Sequence, residues 1–217
     1  YGLPGQTLVE WQENLDEAIR LEIPHISAYH LIYEEGTALY KLMEAGKVTP
    51  VEEDLSITLF STLINKLTDA GYLHYEISNF GRPGFFSRHN SSYWTGKKYI
   101  GIGPSAHSYN GKSRQWNISS LPRYLQGIEA GIPDIEIEDL DINMKYNDFI
   151  ITGLRTMWGI RTTDIRERFG KEKQAYLEQQ AATYLRQGLL IRENEILTLS
   201  KEGLFISDGI MSDLLWV

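Results

Sequence analysis

The strongest constraint on the fold is a repeated change of hydrophobic period within the first 80 residues. Helical stripes alternate with short apolar runs. Thr7 and Glu10 fit a capping box, in which hydroxyl and carboxylate satisfy the free backbone donors of a helix start. Leu8, Trp11, Leu15, Ala18 and Ile19 then recur at three-to-four spacing and mark one buried face. After Pro24, residues 25–32 predict a strand that is largely apolar on both sides. Ile26, Ala28, His30 and Ile32 line one, and His25, Ser27, Tyr29 and Leu31 the other, as in a parallel strand covered on both faces. Residues 36–45 predict a short helix. Leu55, Leu59, Leu63 and Leu67 stripe a longer one, with Glu52, Glu53 and Asp54 at its electropositive end and Gly71 past its last turn. His74–Ser78 is the next strand. Helices alternating with such strands define an α/β class with parallel strands.

Composition narrows the function. The 217 residues suffice for one or two domains, and 42% hydrophobic with 23% charged residues fits a soluble globular protein. No apolar run reaches the roughly 18–20 residues of a membrane span, and no basic-then-apolar stretch resembles a signal peptide, so the expected location is cytoplasmic. Cysteine is absent. Within these residues that excludes disulfides, thiolate nucleophiles, zinc–thiolate sites and cysteine-ligated clusters. A net charge of -8 argues against a nucleic-acid partner. The opening YGLPGQT reads as the end of a strand followed by a turn, so a longer parent chain is expected.

Residues 80–109, FGRPGFFSRHNSSYWTGKKYIGIGPSAHSY, concentrate aromatic, basic and imidazole side chains among permissive glycines. They are expected to end in a strand over Tyr99–Ile102. Ser119–Ala130 predicts a helix, and the acidic residues of 134–141 predict a linker. The expected domains are therefore 1–118, a connector over 119–143, and 144–217. In the last, Tyr146, Phe149, Ile150, Leu154 and Met157 stripe one helix. Thr163–Phe169 forms a second, and Leu177, Ala181, Tyr184 and Leu185 mark a third. Leu189–Ile191 and Ile196–Thr198 flank Glu193-Asn194 as a hairpin, and Ser200 caps a final helix. Three helices followed by a two-stranded wing is winged-helix order. Residues 144–217 carry ten Lys/Arg and ten Asp/Glu, a neutral balance that favours protein docking or a structural role over DNA binding.

Two phrases carry possible chemistry. In His89-Asn90-Ser91-Ser92-Tyr93-Trp94, a neutral imidazole can ligate haem iron and the aromatics can stack on a porphyrin. Arg82 and Arg88 can pair with its carboxylates. On residue types alone, ordinary packing is the stronger account of that cluster. Gly101-Ile102-Gly103-Pro104-Ser105-Ala106-His107 can cradle a cofactor on backbone amides at a strand end, and equally can be a plain turn. His107 can serve as acid, base or hydrogen-bond partner. His25 and His74 read as strand-edge residues, and the acidic segment has no metal-ligand spacing.

The phrases GLPGQT, HISAYHL, AGYLHYEISNF, SRHNSSYW and YIGIGPSAHSY occur in that order, followed by the neutral wing. Together they resemble the oxygen-independent coproporphyrinogen-III-oxidase-like radical S-adenosylmethionine (SAM) family, most closely its HemW haem-chaperone branch. The resemblance covers essentially the whole chain. It implies an α/β fold, the C-terminal portion of an incomplete parallel (β/α) barrel followed by a small winged-helix-like α+β domain. It implies SAM and a [4Fe–4S] cluster in a full-length parent, the cluster on a CxxxCxxC loop absent from this chain. It implies SAM contacts at Ile32 and His107, with Gly101 and Gly103 in the same wall, and haem contacts at His89, Asn90, Tyr93 and Trp94. The implied ligand is haem or a porphyrin, and the implied partner is a haem-acceptor protein. The alternative is a parent that oxidatively decarboxylates coproporphyrinogen III. No catalytic residue and no cluster ligand is assigned within the chain, so it is expected to be inert alone. An incomplete barrel would expose a sheet edge and favour a homodimer.

Overall fold

The computed structural model describes residues 1–217, which pack as two compact units, 1–87 and 88–217. That division lies N-terminal to the boundaries expected after residues 118 and 143.

In the first unit the capping box forms. Glu10 N–H donates to Thr7 Oγ1 at 3.2 Å, and Thr7 N–H donates to the Glu10 carboxylate at 2.8 Å. It starts helix α1, Leu8–Arg20. After strand β1, His25–Ser27, come helix α2, Ala38–Glu44, and helix α3, Glu53–Asp69. The α3 stripe buries Leu59, Leu63, Ile64 and Leu67, and Trp11 Nε1 donates to Leu59 O at 3.0 Å to tie α1 against it. Each such leucine contributes about 1.5–3 kcal/mol through its removal from water. Strands β2, Leu73–Glu76, and β3, Asn79–Gly81, complete a sheet of order β1-β3-β2.

The first strand departs from expectation in two ways. The strand expected over 25–32 stops at Ser27, and both Tyr29 and Ile32 are exposed, so it is not covered on both faces. Its ladder with β3 is also antiparallel rather than parallel, in the register Ser27↔Asn79 and His25↔Gly81. Past Ser27 the backbone finds only short partners. Ala28 N–H reaches Ser78 O at 2.8 Å, and Tyr1 supplies a single rung of parallel type. In that rung Tyr1 donates to Tyr29 O and Leu31 N–H donates to Tyr1 O, both at 2.8 Å. One rung fixes too few residues to extend a strand.

The second unit opens on helix α4, Arg88–Trp94, which ends where Gly96 adopts φ +65°. The strand expected over Tyr99–Ile102 reduces to one antiparallel bridge between Tyr99 and Tyr109, and Ile100 and Ile102 are exposed. Strands β4, His107–Tyr109, and β5, Ser113–Asn117, are followed by helix α5, Leu121–Glu129, and strand β6, Ile135–Asp139. They form an antiparallel sheet of order β4-β5-β6. The expected acidic linker is thus a strand, registered from Ser113↔Asp139 to Asn117↔Ile135. Ile135 and Ile137 alternate with Glu136 and Glu138, and the carboxylates are satisfied across the ladder. Glu136 accepts from Trp116 Nε1 at 3.1 Å, and Glu138 accepts from Arg114 at 3.2 Å.

Asp141 then caps helix α6, Ile142–Leu154, accepting the N–H groups of Asn143 and Met144 at 2.8 Å. Strand β7, Ile160–Arg161, leads into helices α7, Thr162–Phe169, and α8, Lys171–Arg186. Strands β8, Leu190–Glu193, and β9, Ile196–Leu199, form the wing, and helix α9, Ser207–Asp213, closes the unit. The turn residues Asn194 and Glu195 both have positive φ, +46° and +68°, as a two-residue hairpin of primed type requires. Strand β7 adds a third strand, giving β7-β9-β8. Ser200 accepts Gly203 N–H at 3.0 Å, so it starts a 3₁₀ turn at Gly203–Ile206 ahead of α9. Tyr146, Ile150, Leu154, Ile165, Leu177 and Leu197 form the buried centre of this unit. No helix of the chain is long and apolar enough to cross a membrane.

Candidate functional site

Helix α4 puts His89 and Tyr93 four residues apart, hence on one face. Tyr93 Oη lies 3.1 Å from His89 Nε2, and the two rings are perpendicular with centroids 5.0 Å apart. Tyr93 also meets Tyr99 edge-on at 4.7 Å, and Tyr99 leans on Tyr109 at 6.1 Å. The next residue, Trp94, turns to another face of the helix. The Arg155 guanidinium lies 5.2 Å over its ring, and its buried Nε1–H has no partner. Asn90 is half-buried on the same helix.

Tyr93 and Trp94 form one wall of a cavity of about 450 Å³. Tyr99 and Tyr109 continue the wall, and Phe149 and Phe169 face in from α6 and α7. The polar lining is mostly cationic: Arg114, Lys145 and Arg168, against the single carboxylate of Asp148. Arg114 is committed, with Nε 3.2 Å from Glu138 and Nη1 3.5 Å from Asp148. Arg168 instead stacks on Phe149 at 4.5 Å and on Phe169 at 5.4 Å. Burial pushes the Asp148 carboxyl above the usual carboxylate range, with Arg114 opposing the shift. Burial likewise raises the Tyr99 phenol, with Tyr93 as the next contribution.

The glycine turn is organised inward. A Cβ at Gly101 would sit 2.2 Å from His107 O, so the chain's own backbone makes that glycine necessary. Gly101 N–H donates to Ser108 Oγ at 2.9 Å and Gly103 N–H to Tyr124 Oη at 3.1 Å. Asn117 Nδ2 donates to Gly103 O at 2.8 Å. Gly103 differs in that open space surrounds its Cβ position and its φ is +111°. The exposed His107 ring tilts against Trp116 at 5.6 Å. Ile32 belongs to the first unit, where it is 77% exposed.

A [4Fe–4S] cluster does not fit this chain. It has no cysteine, and no group of three or more His, Asp or Glu side chains is placed to hold a metal ion.

The sequence singled out α4 but not the residues facing it across the cavity. Arg114, Lys145, Phe149, Arg168 and Phe169 are scattered over three elements, and only folding brings them together. The one local hint is Arg168-Phe169 beside Gly170, an adjacent cation and ring at a helix end.

These features define a protein class with a compact α/β unit, a small antiparallel sheet and a winged-helix-like module. Residues 142–206 match the HemN C-terminal domain. The fold is that of the corresponding part of a solved structure, coproporphyrinogen III oxidase (HemN) from Escherichia coli, a radical SAM enzyme. The TM-score is 0.77 at 16% identity, covering 99% of this chain and 53% of that one.

Along its whole length the chain is homologous to proteins named haem chaperone HemW. It is 27% identical over 216 residues to the Bacillus subtilis protein, covering 99% of this chain and 57% of that relative. It is 30% identical to the Mycobacterium tuberculosis protein, covering 99% and 53%. A mitochondrial radical S-adenosyl methionine domain-containing protein 1 of Danio rerio is 31% identical over 232 residues, covering 99% and 51%. The chain thus spans about half the length of the relatives it matches.

Proposed function

We propose that this chain binds haem through α4, and that a protein containing it hands the haem to an acceptor protein, as a haem chaperone. The supporting observation is the His89-Asn90-x-x-Tyr93-Trp94 phrase in a chain homologous over its length to proteins named haem chaperones. His89 is the iron-ligand candidate, Tyr93 and Trp94 are the wall, and Asn90 is the further haem contact beside His89. The domain partition 1–118, 119–143 and 144–217 belongs to this reading, as do a cytoplasmic location and pairing of two copies.

SAM and a [4Fe–4S] cluster enter only through longer relatives, where the cluster supplies one electron for SAM cleavage. No step is assigned to them here, because the cluster has no ligands in this chain. For SAM, Ile32 and His107 remain the proposed contacts. The Gly101 and Gly103 amides already have internal acceptors, so Gly103 would contribute room rather than a hydrogen bond.

The test is haem titration of the chain and of a His89→Ala variant, followed at the Soret band. Saturable binding that weakens and shifts spectrally in the variant is expected. Unchanged affinity and spectrum in the variant remove His89 as ligand, and absence of saturable binding removes the reading. The second reading, coproporphyrinogen III oxidation, is favoured by the fold likeness to HemN alone. Conversion of coproporphyrinogen III by a longer protein containing this chain would favour it.

A further inference from the structure

We propose that the cavity walled by Tyr93, Trp94, Phe149 and Phe169 seats a planar aromatic ligand bearing two carboxylates, which Lys145 and Arg168 bind as ion pairs. This rests on the haem reading and deepens it, since haem and its metal-free porphyrin are ligands of this class. It gives the C-terminal module a direct part in ligand binding rather than a purely structural one.

The wall supplies the first half of the recognition. A cavity of about 450 Å³ is of ligand-site size, and a lining rich in aromatic rings suits a flat conjugated ligand. Charge supplies the second half. The chain carries a net -8, yet the charged residues lining this cavity, Arg114, Lys145, Arg168 and Asp148, sum to +2, and Lys145 and Arg168 are in no ion pair. Arg114 pairs with Glu138 and Asp148, and with both carboxylates counted the three cations still leave a local balance of +1. Lys145 has no acidic partner, and the contacts of Arg168 are with rings. Stacking on Phe149 and Phe169 orders the Arg168 guanidinium before any anion arrives and leaves its N–H edge available for a bidentate carboxylate. Tyr93 links this cavity to His89, because the phenol lines it and its hydroxyl reaches the imidazole at 3.1 Å.

The experiment compares protoporphyrin IX with its dimethyl ester, which has the same ring and no carboxylate charge. Both are titrated into the 217-residue chain by quenching of tryptophan fluorescence. Wild type is expected to bind the diacid roughly tenfold or more tightly than the ester, as two charge-assisted contacts require. A Lys145→Ala/Arg168→Ala double variant is expected to lose that preference while its ester affinity stays put. A Lys47→Ala variant, an exposed lysine of the other unit, keeps the preference, and circular dichroism checks that the variants fold. Equal binding of diacid and ester by wild type overturns the proposal, as does a double variant that keeps the preference. If haem binding still depends on His89 when the double variant changes nothing, the haem reading stands and only the carboxylate clamp falls. If wild type binds no porphyrin at all, both fall.

Discussion

Tyr93 holds its hydroxyl 3.1 Å from Nε2 of His89, one helical turn earlier on α4, with the two rings perpendicular. The imidazole nitrogen that would meet iron is therefore already engaged by a neighbour. Ligation through Nε2 has to displace that contact, while ligation through Nδ1 leaves it in place and fixes the ring orientation.

Tyr93→Phe separates these routes, because it keeps the aromatic wall and removes only the hydroxyl. A neutral hydrogen bond is worth about 0.5–1.5 kcal/mol net, so releasing Nε2 is expected to tighten haem binding roughly two- to tenfold. Soret titrations of wild type and variant side by side measure this. Weaker binding in the variant would instead make the phenol oxygen a contributor to the ligand site.

The two glycines of the turn after Tyr99 are glycines for different reasons, and substitution should tell them apart. Gly101→Ala drives a Cβ to 2.2 Å from His107 O, a backbone atom that cannot move aside without disturbing β4. Overpacking of that kind costs about 1–3 kcal/mol. Gly103→Ala meets nothing within 4 Å, and its cost comes from φ +111° alone, about 1–2 kcal/mol. Urea unfolding should therefore show the larger loss at Gly101. Equal losses would mean that the backbone at His107 yields to the new Cβ, so close approach is not what fixes Gly101.

Much of the scaffold was legible because its signals are local. The capping box at Thr7 and Glu10, the Leu59–Leu63–Leu67 stripe and the three-helix-then-hairpin order of residues 142–199 each involve residues within a few turns of one another. Strand pairing was not legible in the same way. Residues 25–32 alternate convincingly, yet a strand persists only as far as its neighbour does, and that neighbour ends opposite Ser27. Over 135–139 the error ran the other way. Acidic composition suggested a linker, while the Ile-Glu-Ile-Glu alternation and the cross-strand partners Arg114 and Trp116 made a strand. The cavity lined by α4 was invisible because its cations and rings come from β5, α6 and α7, and no short-range spacing joins those three elements.

Lys173 is nearly buried, 7% exposed, in the C-terminal unit. Its ammonium donates to Asn143 Oδ1 at 2.6 Å and lies 3.9 Å over the Trp216 ring. Lys173→Met retains the apolar stem but leaves Asn143 without its donor and Trp216 without its cation. The expected loss is about 1–3 kcal/mol, the sum of a cation–π contact and an unsatisfied acceptor. Thermal unfolding checks it. A neutral or stabilising outcome would show that desolvating the charge already offsets both contacts.

His74 gives the fold a dependence on pH whose sign can be stated. Its ring lies parallel to Phe80 at 4.2 Å, meets Phe60 edge-on at 6.2 Å and bonds Ile77 O through Nε2 at 2.9 Å. Burial lowers its pKa below 6.5, and it outweighs the carbonyl of Ile77 and the charge of Glu76, which both favour the cation. His25 is also lowered by burial. Well above pH 6.5 these rings are neutral in folded and unfolded chains alike, so they add no pH dependence there. Below it, the unfolded chain takes up protons that the folded one resists, and stability falls with pH until the folded-state values are passed. His74→Phe keeps the stack on Phe80 and gives up the bond to Ile77, a loss of about 1 kcal/mol at neutral pH. It should also flatten the decline below pH 6.5 without abolishing it, because His25 still titrates. Urea midpoints for both proteins between about pH 7.5 and pH 5 measure the difference, from which the common carboxylate contributions cancel. Two parallel curves would show that the neutral, stacked His74 is not a source of the acid sensitivity.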